Sequence, residues 1–559
     1  INPDIETADK DYKAGKIMPV YSLTHGLSNN ELVKIIKKAI DDYFDKLDDI
    51  IPLEIRNRYK LIPRNIAVKN IHFPTDGRSY TYAKRALAFE KLMIMQIGLL
   101  SVKNRLVTKQ QGNELVNTVY SNKLLSSIPF ELTEAQLRVI EEIKTDMAKP
   151  VPMNRLVQGD VGSGKTIVAF YAMLLAVGSG FQSSMMAPTE ILALQHYTAI
   201  KEYIKRTELN INVEFLSGST GSKKKKEILH NLKNGDVHII IGTHALIENN
   251  VEFKNIGLVV TDEQHRFGVR QRALLFNKGN NPDILVMTAT PIPRTLALMI
   301  YGDLDISIID KLPPGRQRIN TGIISGSQKP EAYEFIKSKI KDGRQSYIVA
   351  PLIEESENSE LACVEEIYDE LKSAYFSEYK LGLLHGKMKN KEKESIINKF
   401  YNGEIDVLVS TTVIEVGVNV PNAVIMMILN AERFGLAQLH QLRGRVGRGS
   451  DKSYCILVNE SKSKKSGERM NILSNSNDGF FIAEEDLKIR GPGDFFGTAQ
   501  HGLSKYEIQR IINDVKVVQN VQEAVKKLMR ENPYLEGCEY KNLKNEIISL
   551  FKDENIVFN

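Results

Sequence analysis

Short apolar runs alternate with helical stretches through most of this chain. From about Ser126 onward the runs are Arg155–Gln158, Ser184–Ala187, Val213–Leu216, His238–Ile241, Leu258–Thr261 and Ile284–Met287. Runs this short, apolar at consecutive positions, read as strands covered on both faces. Their alternation with helices predicts a parallel sheet between helical layers. The proline-containing segment Lys311–Arg316 interrupts the pattern. A second series follows at Ser346–Ala350, Lys380–Leu384, Val407–Ser410, Val424–Leu429 and Tyr454–Val458. Two α/β lobes joined by a short hinge are therefore expected.

The ends of the chain differ. Residues 1–28 are polar and turn-rich. A helix is predicted from Glu31 to Leu47, with Leu32, Ile35, Ile36, Ala39 and Ile40 on one face. A second runs near Tyr82–Leu106, where Phe89, Leu92, Met93, Ile97 and Leu100 fall at offsets 0, 3, 4, 8 and 11. Neither helix carries a catalytic constellation. Beyond Lys465 the chain is charged and mostly helical. The run Lys223–Lys226 reads as a solvated helix start.

Composition narrows the class. With 559 residues, 26% charged and 42% hydrophobic, the chain is globular and large enough for three or four domains. The net charge, 74 − 69 = +5, permits a polyanionic partner without demanding one. Cys363, Cys455 and Cys538 are far apart and odd in number, which argues against a disulfide framework or a structural zinc site and for a reducing compartment. Ile167–Thr189 carries no formal charge, but Gly178–Gly180 and Pro188 divide it into a buried helix, a turn and a buried strand. The chain opens with Ile1 rather than Met, so a natural start further upstream is expected.

Candidate chemistry begins at Gly159-Asp160-Val161-Gly162-Ser163-Gly164-Lys165-Thr166, a full G-x-x-x-x-G-K-[ST] match between a strand and a helix. Glycines let successive N–H groups wrap phosphate oxygens at the positive end of a helix. Lys165 is placed to neutralise the β- and γ-phosphates of ATP, and the Thr166 hydroxyl to ligate Mg²⁺. About a hundred residues on, Asp262 and Glu263 end an apolar strand, where adjacent carboxylates are costly without a cation beside them. Asp262 suits the metal and Glu263 the attacking water. In Gln441-Leu442-Arg443-Gly444-Arg445-Val446-Gly447-Arg448, three arginines fall within six residues. They read either as a solvated basic turn or as fingers reaching a γ-phosphate across a cleft.

In this order the motifs resemble those of superfamily 2 helicases, and more closely the RecG family of bacterial ATP-dependent DNA helicases. Leu132–Gln136 resembles the adenine-reading element, with Gln136 as the reader. Ala187–His196 and Gly242–Leu246 resemble motifs Ia and Ib, which implies DNA contacts at Thr189 and Thr243. Thr288-Ala289-Thr290-Pro291 resembles motif III, which implies that Thr288 and Thr290 link the phosphate site to the DNA track. His385-Gly386 and the motif V-like Ser410–Val418 imply further DNA contacts at His385 and Thr411. In the motif VI-like cluster, Arg445 and Arg448 match the finger positions and Gln441 the polar lead residue. Residues 477–480 and 486–500 resemble the TRG, or translocation, hairpin that this family shares with transcription-repair coupling factors, with Arg469, Arg490 and Gln500 matching its polar network. Ala499 stands where that hairpin usually has arginine, and Asn419 where motif V often has aspartate.

The resemblance implies two RecA-like P-loop lobes with parallel sheets, preceded by a helical linker and followed by a helical TRG extension. The expected boundaries are 1–28 for the exit of a wedge domain whose barrel strands are missing, 29–125 for the linker, 126–310 for the ATP-binding lobe, 311–465 for the second lobe and 466–559 for the hairpin and C-terminal helices. It further implies ATP and Mg²⁺ as cofactors, branched double-stranded DNA as partner with single-stranded DNA-binding protein as a second, no membrane, a monomer, and a cytoplasmic, nucleoid-associated location. The implied activity is ATP-driven translocation that remodels forks and Holliday junctions. A transcription-repair coupling motor, an RNA helicase and an ATP-gated binding module without translocation are the alternatives.

Overall fold

A computed structural model of the chain describes residues 17–21, 26–109, 112–263, 278–289, 304–313, 317–351, 357–411, 420–447, 449, 451–461, 463–490 and 515–550. The described residues divide into two units. One comprises those up to residue 106 together with 515–550, and the other those from 107 to 490.

The first unit is helical. Its opening helix, Asn29–Tyr43, starts two residues earlier than the apolar pattern suggests, because Ser28 and Glu31 close a capping box around its first turn. The buried face is centred on Val33 and Ile40, and Ile35 is exposed. The expected stripe was thus rotated by about one position. The helix expected near Tyr82–Leu106 runs Gly77–Lys109, and Phe89, Leu92, Met93 and Ile97 are buried along it as expected. The C-terminal helices Val515–Glu531 and Lys541–Leu550 belong to the same unit as these N-terminal ones. Arg58 pairs with Glu523 at 2.6 Å, and the Asn542 Nδ2–H donates to the Asp49 carbonyl at 3.1 Å.

The second unit holds two parallel sheets. The first consists of β1 (Asn154–Gly159), β2 (Gln182–Met186), β3 (Val213–Leu216), β4 (Ile239–Gly242), β5 (Ile256–Thr261), β6 (Asp283–Thr288) and β7 (Asp305–Ile309). Their order is β3-β4-β2-β5-β6-β1-β7. The second consists of β8 (Asn320–Ser325), β9 (Gln345–Val349), β10 (Leu381–Leu384), β11 (Val407–Ser410), β12 (Ala423–Ile428) and β13 (Tyr454–Asn459), in the order β10-β11-β9-β12-β13-β8. This is the two-lobed α/β architecture expected.

The apolar runs are continuous because each strand feeds two cores. On β4, Ile239 and Ile241 enter the core on one face and Ile240 the core on the other. On β12, Met426 and Ile428 face one way while Ile425 and Met427 face the other. The uncharged stretch from Ile167 resolves into the helix Lys165–Gly178, a turn at Gly180 with φ +88°, and β2. That helix is buried on all sides, between the sheet and the helices Val119–Ser127 and Glu134–Met147. Among the described residues no helix is long and apolar enough to cross a membrane. The lysine run opens the helix Ser222–Asn234 on its solvated side. Cys455 is buried and Cys538 exposed, and the described residues contain no cluster suited to a metal ion.

Candidate active site in the interlobe cleft

The phosphate loop, the two carboxylates and the candidate DNA-contacting residues share one placement: they gather at the carboxyl ends of parallel strands. The phosphate loop leaves β1, Thr189 follows β2, Thr243 follows β4, Asp262 and Glu263 follow β5, and Thr288 ends β6. In the second lobe His385 follows β10 and Thr411 follows β11. In open α/β sheets this edge presents loop amides and side chains to ligands.

The phosphate loop takes its shape from its glycines. Gly162 and Gly164 have φ of +77° and +83°, which other residues rarely adopt. A side chain at Gly164 would also strike the Gln136 amide. Gln136 lies at the start of the helix Glu134–Met147. Its Oε1 accepts from the Thr133 N–H at 2.8 Å, and its Nε2–H donates to the Ser163 carbonyl at 2.9 Å. The adenine-site candidate is thereby fixed to the loop itself. The buried Lys165 ammonium donates to the Gly159 and Asp160 carbonyls at 2.8 and 2.9 Å. These carbonyls hold the charge inside the loop, beside the space where phosphate oxygens would lie.

The two carboxylates differ in environment. Asp262 accepts from His196 Nε2–H at 2.8 Å through Oδ2 and from the Glu263 N–H at 3.0 Å through Oδ1. Burial pushes its carboxyl up, but the His196 hydrogen bond and charge, with Lys165, outweigh this and hold it below the usual Asp value. Glu263 shifts the opposite way. Burial and then the Asp262 charge raise it, against Lys165 and Arg445. One carboxyl is thus kept ionised while its neighbour is made more basic, a separation that suits a metal ligand beside a proton acceptor. Glu263 also has φ +52°, left-handed for a residue with a side chain, and its Oε2 accepts from the Ala289 N–H at 3.4 Å, next to Thr288.

A cleft of about 760 Å³ gathers Lys165, Thr166, Asp262 and Glu263 from the first lobe with Arg445 and Asn398 from the second. Gln441 is buried on the helix Leu436–Arg443, and Arg445 follows that helix. The Arg469 guanidinium donates to the Phe434 carbonyl, which fastens the helix Lys464–Asn475 to the turn ahead of Leu436–Arg443. Thr189 caps the helix Glu190–Thr207 through its hydroxyl, and Thr243, Thr288 and Thr411 are buried. Thr290, Arg448 and Gln500 lie outside the described residues, as do Asn419 and Ala499. Arg490 closes the helix Gly479–Arg490, and its side chain lies outside the description.

Sequence reasoning did not single out His196, whose role as partner of Asp262 depends on a contact 66 residues away. It also passed over His440, and it counted Arg443 only among the three arginines of a basic turn or finger cluster, whereas the Arg443 guanidinium is bonded to His440 and to the Leu473 and Ser476 carbonyls.

Four family descriptions match the chain: DEAD/DEAH box helicase over residues 133–299, helicase conserved C-terminal domain over 315–450, the C-terminal part of domain 3 of the ATP-dependent DNA helicase RecG over 476–558, and the RecG wedge domain over 1–42. The chain is 46% identical to the ATP-dependent DNA helicase RecG of Synechocystis sp., covering 99% of this chain and 66% of that one. It is 42% identical to the protein of the same name from Bacillus subtilis, covering 95% and 78%. Among solved structures it is similar to RecG bound to a three-way DNA junction, with a TM-score of 0.72 at 42% identity, over 90% of this chain and 66% of that one.

Proposed function

The chain belongs to the RecG family of ATP-dependent DNA helicases, and from that premise we propose that it is an ATP-driven translocase on double-stranded DNA that remodels branched substrates such as forks and Holliday junctions. The observation that carries this reading is the cleft in which the phosphate loop and both carboxylates of one lobe face Arg445 of the other.

In this reading Lys165 releases the two loop carbonyls to bind the β- and γ-phosphates, and Gln136 reads the adenine. Thr166 and Asp262 are oxygen donors on the same cleft, a set that fits a hard cation. Mg²⁺ held there would neutralise charge across the phosphates. Glu263 takes the proton of the attacking water. Arg445 and Arg448 supply positive charge where negative charge develops on the γ-phosphoryl group and on the departing ADP, so hydrolysis waits for the lobes to close. Thr288, Thr290 and Gln441 carry that closure toward the DNA track, and Arg469, Arg490 and Gln500 carry it to the hairpin. Thr189, Thr243, His385 and Thr411, at the strand ends, grip backbone phosphates, which a motor indifferent to sequence requires. The division into wedge exit (1–28), helical linker (29–125), two lobes (126–310 and 311–465) and hairpin with C-terminal helices (466–559) belongs to the same proposal.

Family membership weighs against an RNA helicase and a transcription-repair coupling motor. ATP turnover with forked DNA, linear duplex, single strands and RNA separates them experimentally. Forked and duplex DNA are expected to stimulate most and RNA least, with stimulation falling steeply as salt rises because the grip is electrostatic. Strongest stimulation by RNA would overturn the proposal.

A further inference from the structure

Lobe 2 touches the phosphate loop at a point that the finger arginines do not explain. His440 Nε2 lies 2.6 Å from Asp160 Oδ1, the same oxygen that accepts the Val161 N–H at 2.6 Å. On its other side, His440 Nδ1 lies 2.8 Å from an Arg443 guanidinium nitrogen. A guanidinium can only donate, so Nδ1 must accept. The imidazole proton therefore sits on Nε2 and is donated to Asp160. Arg443 is 1% exposed, and its other terminal nitrogen donates to the carbonyls of Leu473 and Ser476 at 2.6 and 2.8 Å. Those carbonyls lie in the last turn of the helix Lys464–Asn475 and just beyond it, where helices leave acceptors unsatisfied and favour a cation. The helix Gly479–Arg490 begins three residues after Ser476. The backbones are also close here, since a side chain at Gly444 would come within 2.9 Å of Val161 Cβ.

We propose that His440 is a positioning residue for the phosphate loop, and that Arg443 is the node through which the state of that loop reaches the helices following lobe 2. Asp160 is tied to two parties. Its carboxylate accepts the Val161 N–H and so sets the course of the loop, and it is held by lobe 2. Any rearrangement of the loop as Lys165 moves from its carbonyls to phosphate changes the bond to His440. The imidazole cannot shift without disturbing Arg443, whose other terminal nitrogen fixes the junction between the helices Lys464–Asn475 and Gly479–Arg490. The path is made of buried and half-buried hydrogen bonds with fixed donor and acceptor ends, so it transmits position rather than charge. This inference rests on the ATPase reading for its kinetic consequences but not for its structural ones.

The test compares His440→Leu, which removes both bonds, with His440→Gln, whose amide retains one donor and one acceptor. Hydrogen exchange is measured first on the nucleotide-free chain. The Leu variant is expected to exchange faster both in the phosphate loop and across residues 473–478, and the Gln variant to stay near wild type. With ATP and duplex DNA, the Leu variant is expected to lose about ten-fold or more in kcat, with KM for ATP within about two-fold, and Gln to recover most of the loss. Unchanged exchange in the loop overturns the positioning role. Faster exchange in the loop alone overturns the transmission through Arg443. Equal defects in Leu and Gln assign His440 to packing instead. Absence of ATP turnover in the wild type would sink the ATPase reading, while the exchange experiment would still decide the relay.

Discussion

Lys165→Ala is expected to abolish ATP turnover, and Glu263→Gln to retain nucleotide while blocking hydrolysis. In the structure Lys165 is buried and donates to two loop carbonyls, so its charge is already desolvated and aimed at the site. Alanine removes the only positive side chain within the loop sequence Gly159–Thr166. A charge-stabilising donor of this kind is worth about 10²–10³ in rate, and here it also binds the ground state, so affinity should fall with turnover. Glu263 differs. Burial and Asp262 make it more basic than an ordinary glutamate, and a glutamine of the same shape cannot take a proton. General-base catalysis contributes about 10²–10⁴, and loss of that order in kcat is expected with nucleotide affinity nearly unchanged. The raised value has a pH consequence. The base acts only when ionised, so kcat/KM should rise with pH through a limb displaced above the usual glutamate range, and that limb should vanish in the glutamine variant. Turnover and nucleotide affinity measured side by side check both claims. Substantial hydrolysis by Glu263→Gln would remove Glu263 from the role of base.

The second large effect concerns the lobe without a phosphate loop. Arg445 is buried against the cleft, and its positive charge acts on Glu263. A finger meets the phosphate where charge develops in the transition state, so its loss should appear in kcat rather than in binding. Arg445→Ala is expected to keep ATP affinity within a few-fold and to lower kcat steeply, with fingers in related phosphoryl transfers worth about 10³–10⁵. The same split is expected of Arg448→Ala. Lost affinity with normal kcat would mean that Arg445 holds the ground state, and the finger role would fall.

Much of this was legible in the sequence, for identifiable reasons. Strands such as β4 and β12 were found by their apolar runs because they are covered on both faces and every position faces a core. The two that escaped, β7 and β8, are edge strands, one at the end of each sheet. Asp305–Ile309 and Asn320–Ser325 are only partly covered, so they mix polar and apolar residues and carry no continuous run. The first helix shows a related failure. Ile35 fits an apolar stripe by spacing, but the buried face is set by Val33 and Ile40, and periodicity alone does not weigh one stripe against its neighbour. The C-terminal stretch read as one extension, yet Lys464–Asn475 and Gly479–Arg490 belong to the unit with the sheets while Val515–Glu531 belongs with the N-terminal helices. Nothing local in the sequence marks that division.

The site divides in the same way. Lys165, Thr166, Asp262 and Glu263 could be named because their chemistry is carried by contiguous motifs at the ends of strands. Arg445 could be named from glycine-spaced arginines, though the sequence alone could not separate a finger from a solvated turn. Its burial in the cleft favours the former. His196 and His440 were missed because each is defined by one partner distant in sequence, Asp262 and Asp160 respectively.

Hydrolysis in this cleft is proposed to move the protein along duplex DNA. Triplex displacement tests it most directly, because a third strand can be pushed off without opening the duplex beneath it. Displacement is expected with ATP, none with a non-hydrolysable analogue, and none with Glu263→Gln despite bound nucleotide. Duplex-stimulated ATP hydrolysis that leaves the third strand in place would contradict it.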